Sequence, residues 1–134
     1  MMYVTRFILI VMLCGIGISV HSKDGKEERI MKKYREVIQD ISPDDWYTLA
    51  SSADMCLKKD IITKEVAEWI DRSLEIKKTA YNLEIKGDYY MKNRLPDKAG
   101  KYYLEAIKVG LEEDSNFDVS GLQEKIAGIV DLST

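Results

Sequence analysis

Histidine is almost missing from this chain of 134 residues, and the one it has, His21, lies near the start. Metal sites of the common nitrogen–sulfur kind and Ser/His or Cys/His nucleophile pairs therefore lack a member. No glycine-rich phosphate loop is present either. Asp54 and Asp88 could be imagined as a general acid and base, but nothing in the sequence supplies the apolar pocket that would raise one pKa. The expectation is a non-catalytic protein with no metal ligands and no cofactor. Excess positive charge is also absent, the formal net charge being −3. A mildly acidic chain lacks the electrostatic footprint for wrapping phosphate backbones, so nucleic acid is not an expected partner. Alternating strand patterns are missing, as are Asn-Gly or Asp-Gly turns flanked by apolar alternation. An all-α fold is what remains.

Long apolar runs are scarce. The one that stands out, Phe7–Val20, has 14 residues, with Arg6 as the only charge before it. A helix needs about 20 such residues to span a bilayer. The run fits the apolar core of a secretory signal peptide over residues 1–22, with small residues in Val20-His21-Ser22 suited to cleavage before Lys23. The expected location is thus periplasmic or secreted. Two alternatives stay open: lipidation at Cys14, although Leu13 stands where a small residue is expected, and an uncleaved anchor in the inner membrane. A membrane enters only if the segment is retained. Cleavage would leave 112 residues and, by removing Arg6 and no acid, shift the charge from −3 to −4. Cysteine is then reduced to Cys56, so no intramolecular disulfide can form and the domain depends on its core. Cys56 falls on an apolar stripe and reads as a buried, inert thiol.

From Lys23 onward the periodicity is helical. Residues 23–43 read as a polar linker, "SKDGKEE", followed by a helix from about Glu27 to Ile41 with Ile30, Tyr34, Val37, Ile38 and Ile41 on one stripe. "SPDDW" reads as a helix start, Ser42 capping and Pro43 in the first turn, with Asp44 and Asp45 at the positive helix end. That helix runs to about Lys59 with Trp46, Leu49, Ala53, Cys56 and Leu57 inward. Further helices are expected from Thr63, carrying Val66, Trp69, Ile70, Ser73 and Leu74, then from about Thr79 to Asn93, and from Pro96 to about Gly110. Residues 113–134 form a loop and a final helix bearing Leu122, Ile126, Ile129 and Val130, with Ser120 and Gln123 as its capping box.

Residues 44–112 contain an internal repeat. A shift of 34 places Tyr47 on Tyr81, Leu49 on Leu83, Ala53 on Gly87, Asp54 on Asp88 and Lys58 on Lys92. A shift of 33 places Val66 on Ala99, Trp69 on Tyr102, Ile70 on Tyr103, Ser73 on Ala106 and Leu74 on Ile107. The second copy carries Gly87-x-x-Tyr90, then Ala99-x-x-x-Tyr103, then Ala106; the first carries Ala53-x-x-Cys56, Val66-x-x-x-Ile70 and Ser73. In this the chain resembles the tetratricopeptide repeat family, whose 34-residue helix pairs place small and aromatic residues in that order. It departs from the family at Ser52 and Lys86, where a large apolar residue is usual, and no proline closes either repeat. The resemblance implies antiparallel helical hairpins, a fragment of an α-solenoid, with the N- and C-terminal helices as caps. Gly87, Ala99 and Ala106 would be gaps that Tyr90 and Tyr103 fill, with the glycine's helix cost of about 1 kcal/mol offset by close packing. Trp69 and Tyr102 read as packing between hairpins.

The resemblance further implies that the first helix of each pair lines a concave groove for a peptide or helix of another protein. Tyr47, Asp54 and Lys58 fall on one stripe of the first copy, and Tyr81, Asp88 and Lys92 on the same stripe of the second. Core packing does not call for these residue types, and tyrosine between charges suits peptide recognition. They are the candidate partner-binding residues. The competing expectation is a structural protein that self-associates into a homo-oligomer through apolar end surfaces such as Leu122 and Ile126.

Overall fold

A computed structural model describes residues 21–132; the expected signal segment, apart from its last residues, lies outside them. Six helices follow in order: α1 (His21–Gln39), α2 (Trp46–Leu57), α3 (Lys64–Ile76), α4 (Ala80–Lys92), α5 (Pro96–Glu113) and α6 (Ser120–Leu132). No strand occurs among the described residues, so the fold is all-α. No helix among them is long and apolar enough to cross a membrane. Neighbours in sequence are also neighbours in space: α2 packs on α3 and α4 on α5, the latter being the most extensive helix–helix contact. Across the repeat, α4 touches both α2 and α3, while α1 lies on α2 and α6 on α5.

Local chemistry sets the boundaries, and three expectations need correction. Helix α1 begins at His21, so "SKDGKEE" is helical rather than a linker. Its inward residue is Met31, 2% exposed, with Tyr34 and Ile38 beside it; Val37, at the edge of the stripe, is 42% exposed. Second, "SPDDW" opens with a turn. The Asp45 N–H donates to the Ser42 carbonyl and the Ser42 hydroxyl is spent on Asp44. Asp45 is therefore the cap, its carboxylate accepting from the Thr48 amide at 2.9 Å and hydroxyl at 2.7 Å. Those bonds, the amide one first, hold the Asp45 carboxyl below its usual pKa. Third, no Ser120–Gln123 capping box forms. Asp118 accepts from the Ser120 N–H at 2.9 Å, and the Gln123 amide bonds to the Val119 carbonyl. Thr63 and Thr79 do cap, Thr79 within a reciprocal box with Asn82.

Asn82 is also the buried polar keystone between the two copies. Wholly buried, it donates to Ser73 Oγ at 3.0 Å and the Lys77 carbonyl at 2.7 Å, and accepts from the Thr79 amide at 2.9 Å. Ser73 in turn donates to the Trp46 carbonyl at 2.7 Å. The start of α2, the end of α3 and the start of α4 are thus locked by satisfied bonds.

The core has two parts. One gathers Leu49, Ala53, Cys56, Leu57, Val66, Trp69 and Ile70 with Met31 and Ile85; the other gathers Leu83, Ala99, Tyr103 and Ala106 with Leu122. Ala53, Val66, Ile70, Ser73, Ala99, Tyr103 and Ala106 are all 0–1% exposed. Tyr103 lies so close to Gly87 that a Cβ there would overlap its ring. Tyr90 is half-buried and stacks on Tyr102, with centroids 5.4 Å apart. Cys56 has no exposed surface, and burial pushes its thiol up to about 11. Ser52 and Lys86, polar residues at inward positions, are both buried. Lys86 threads its stem between helices, reaches Asp71 at 2.6 Å and lies over the rings of Tyr89 and Tyr90.

Candidate functional site on the α2–α4 face

Tyr47 projects from the first turn of α2 and Tyr81 from the first turn of α4, so contact between these helices brings equivalent positions together. Their rings stack with centroids 5.7 Å apart and planes 27° from parallel. Trp46 packs edge-on to Tyr47 at 5.7 Å, and Lys77 lies over the indole at 5.6 Å. Tyr81 is half-buried; desolvation, then the negative charge of Asp54, pushes its hydroxyl up to about 12. Tyr47 is 57% exposed, a large aromatic surface held in place by the ring beneath it.

Each charged residue on the stripe has a partner within the chain. Lys58 pairs with Asp54 one turn earlier at 2.7 Å, which holds the Lys58 pKa above its usual value. Asp88 accepts from the Tyr103 hydroxyl at 2.7 Å and from Lys125 of α6 at 2.7 and 2.8 Å. Lys125 also pairs with Glu84 at 2.7 Å. Burial alone would depress the Lys125 pKa, but Asp88 and Glu84 more than offset it and hold it raised. For Tyr103, burial and then the Asp88 hydrogen bond raise the phenol pKa. Lys92 reaches Asp60 at 2.6 Å, and Asp60 itself has φ 58° in the α2–α3 connection.

The six candidate residues therefore fall on one face, but not as six equivalent contacts. Tyr47, Tyr81, Asp54 and Lys58 are contiguous, whereas Asp88 and Lys92 are tied to α5, α6 and the α2–α3 connection. Lys125, Glu84 and Asp60 are members of this face that sequence reasoning missed. Periodicity assigns Leu122 and Ile126 of α6 to the core, yet gives no sign of which carboxylates Lys125 meets. Trp69, 5% exposed, belongs to the first core, and Tyr102 to the stack with Tyr90.

A cleft of about 270 Å³ lies beyond Asp60, lined by Lys26, Glu27, Ile30, Lys59, Asp60 and Ile61. Four of these six residues are charged, but the surface they present to the cleft is more apolar than polar. Among the described residues no group of three or more His, Cys, Asp or Glu is gathered as a metal site would require. What this face offers is an exposed aromatic ledge bordered by neutralised charges, a surface for non-covalent contact. Comparison with protein-family models, with curated proteins and with solved structures finds no match in any of the three.

Proposed function

We propose that this chain is an exported, non-catalytic interaction module built from two tetratricopeptide-like helix pairs, and that it holds a peptide or helix of another protein against the α2–α4 face. The observation that carries the reading is the Tyr47–Tyr81 stack. Tyr47 is 57% exposed although an apolar ring gains nothing from water there, and it is pre-oriented by its stacked neighbour. A rigid, amphipathic aromatic platform supplies contact area at small entropic cost, which is why tyrosine is enriched in binding surfaces. Asp54 and Lys58 at its side offer an acceptor and donors to a peptide's polar groups. Export rests on the Phe7–Val20 segment of the sequence.

The test uses a photo-crosslinking residue at Thr48, beside the ledge, in the protein as its own cells produce it. A second preparation carries Tyr47→Ala in addition. The expected result is a discrete cross-linked partner that is lost with Tyr47→Ala, while the chain still unfolds in one cooperative transition with Tm lowered only by the lost ring contacts, about a few degrees. Cross-links of equal yield with and without Tyr47, or none at all, would overturn the reading.

A further inference from the structure

The outward faces of α3 and α5 carry opposite charge patterns. Placing Lys64–Ile76 on Asp97–Val109, 33 residues further on, makes five pairs of charged positions equivalent, and all five are reversed in sign. Glu68 falls on Lys101, Arg72 on Glu105 and Glu75 on Lys108; Lys64 with Asp97 and Glu65 with Lys98 complete the set. Burial follows the same register, because Val66, Ile70 and Ser73 are inward on α3 as Ala99, Tyr103 and Ala106 are on α5. The reversal therefore lies on equivalent faces. Solvation has no preference for sign, and the first helices of the two copies keep it: Asp54 matches Asp88 and Lys58 matches Lys92.

Lys78, two residues past the end of α3, reaches Glu105 on α5 at 2.7 Å and ties the C-terminal end of α3 to α5. On α5 the exposed residues include Leu104, 59% exposed, and Leu111, 43% exposed, at seven-residue spacing, with Lys101 and Lys108 interleaved. On α3 they include Glu68, Asp71 and Glu75. In-chain ties of the outermost charges are long, 3.5 Å for Lys64–Glu68 and 3.8 Å for Lys108–Glu112, and so leave them available.

We propose that this face pairs with the same face of a second copy, α3 of each chain lying against α5 of the other. A two-fold interface requires that if α3 meets α5 of the partner, then α5 meets α3 of the partner. One molecule carrying both halves of a complementary pattern satisfies that rule by itself. Glu68 and Glu75 of each chain meet Lys101 and Lys108 of the other at matching spacing, and Leu104 and Leu111 supply the apolar centre. Of the end-surface residues expected from the sequence, Leu122 is 4% exposed and Ile126 packs partly buried against the chain's own second core, so neither offers the exposed apolar surface that Leu104 and Leu111 do. The pairing leaves Tyr47 free and does not depend on the α2–α4 face.

The test is a charge-swap set read by sedimentation equilibrium, using the chain as its cells deliver it. Wild type, the all-basic variant Glu68→Lys/Glu75→Lys and the all-acidic variant Lys101→Glu/Lys108→Glu are run alone and mixed, up to about 0.1 mM. Each exposed pair contributes about two- to fivefold in affinity, and four contacts turn repulsive in either variant, so self-association falls by roughly a hundredfold. Wild type is expected to dimerise, each variant alone to be monomeric, and the mixture to form a heterodimer. Dimerisation of wild type should also weaken between about 0.05 M and about 0.5 M salt, a measurement that needs no variant. A wild type that stays monomeric at low salt overturns the proposal. So does a dimer of unchanged mass in both variants, or a mixture that fails to associate.

Discussion

One substitution, made at two glycines, separates close packing from helix propensity. Glycine inside a helix costs about 1 kcal/mol relative to alanine. At Gly128 in α6 an added Cβ meets nothing within 4 Å, so Gly128→Ala should stabilise the chain by up to about 1 kcal/mol. At Gly87 in α4 the same Cβ would overlap the Tyr103 ring. That ring has nowhere to go: it is 1% exposed, and its hydroxyl is held by Asp88 at 2.7 Å. Overpacking of this kind costs about 1–3 kcal/mol. With the propensity gain of about 1 kcal/mol set against it, Gly87→Ala should destabilise by up to about 2 kcal/mol, or up to about 10 °C in Tm. Urea unfolding followed by circular dichroism measures both variants. A Tyr103→Leu background supplies the control, because removing the ring should abolish or invert the cost of Gly87→Ala, the coupling expected of two residues in contact. If Gly87→Ala proves as stabilising as Gly128→Ala, the account of why α4 carries a glycine at this position is wrong.

Asn82→Leu should destabilise by about 2–4 kcal/mol, because it strands the Lys77 carbonyl and the Thr79 amide in the buried junction between α3 and α4; a loss under about 0.5 kcal/mol in the same urea assay would show that the network is incidental. Alkaline pH should unfold the chain progressively. Tyr103 and Lys125 both have folded pKa values raised above their ordinary 10.0 and 10.5, so their contribution is full below about pH 10 and is lost as pH rises through the folded values. Tyr81, pushed up to about 12, adds to the same decline. Urea midpoints measured from about pH 8 to about pH 12 should fall, and Tyr103→Phe should flatten the fall; identical profiles would refute this assignment.

Much of the all-α architecture was legible because helical periodicity and small-residue spacing are local signals. The shifts of 34 and 33 residues aligned positions that share burial, such as Leu49 with Leu83 and Ile70 with Tyr103. Helix starts were legible at Thr63 and Thr79, which the structure shows to be the N-caps of α3 and α4; capping itself was harder to read. It failed at Ser42 and Ser120, where neighbouring aspartates bind instead: Asp45 accepts from the Thr48 amide and Asp118 from the Ser120 amide, while the Ser42 hydroxyl is spent on Asp44. The start of α1 was misplaced because Gly25 and Lys-rich surroundings read as a linker, and intrinsic propensity is a weak prior. Ser73 read as a small packing residue, but its hydroxyl joins the Asn82 network. Lys86 departs from the apolar pattern yet is buried, since a long stem can fill space while its ammonium finds Asp71. Partners this distant in sequence leave no trace in periodicity.

The candidate face shows why recurrence of residue types is a poor guide to recurrence of roles. Asp54 and Asp88 are equivalent by sequence, yet Asp54 pairs within its own helix while Asp88 joins α4 to α5 and α6. Lys58 and Lys92 differ in the same way, one meeting Asp54 and the other Asp60 across helices. The cause is position along the stack: Asp88 has α6 beside it, whereas the residue beside Asp54 is Tyr81 of the next copy. A charge that closes the fold cannot also be free to a ligand without costing the desolvated partner it leaves behind. Exposure, not repetition, therefore selects the recognition element on this face. Tyr47 meets that criterion: its counterpart Tyr81 is the half-buried ring on which it rests. Loss of Tyr47 should accordingly remove contact surface and leave the fold intact, whereas loss of Asp88 should loosen α6 before it alters any contact with a partner.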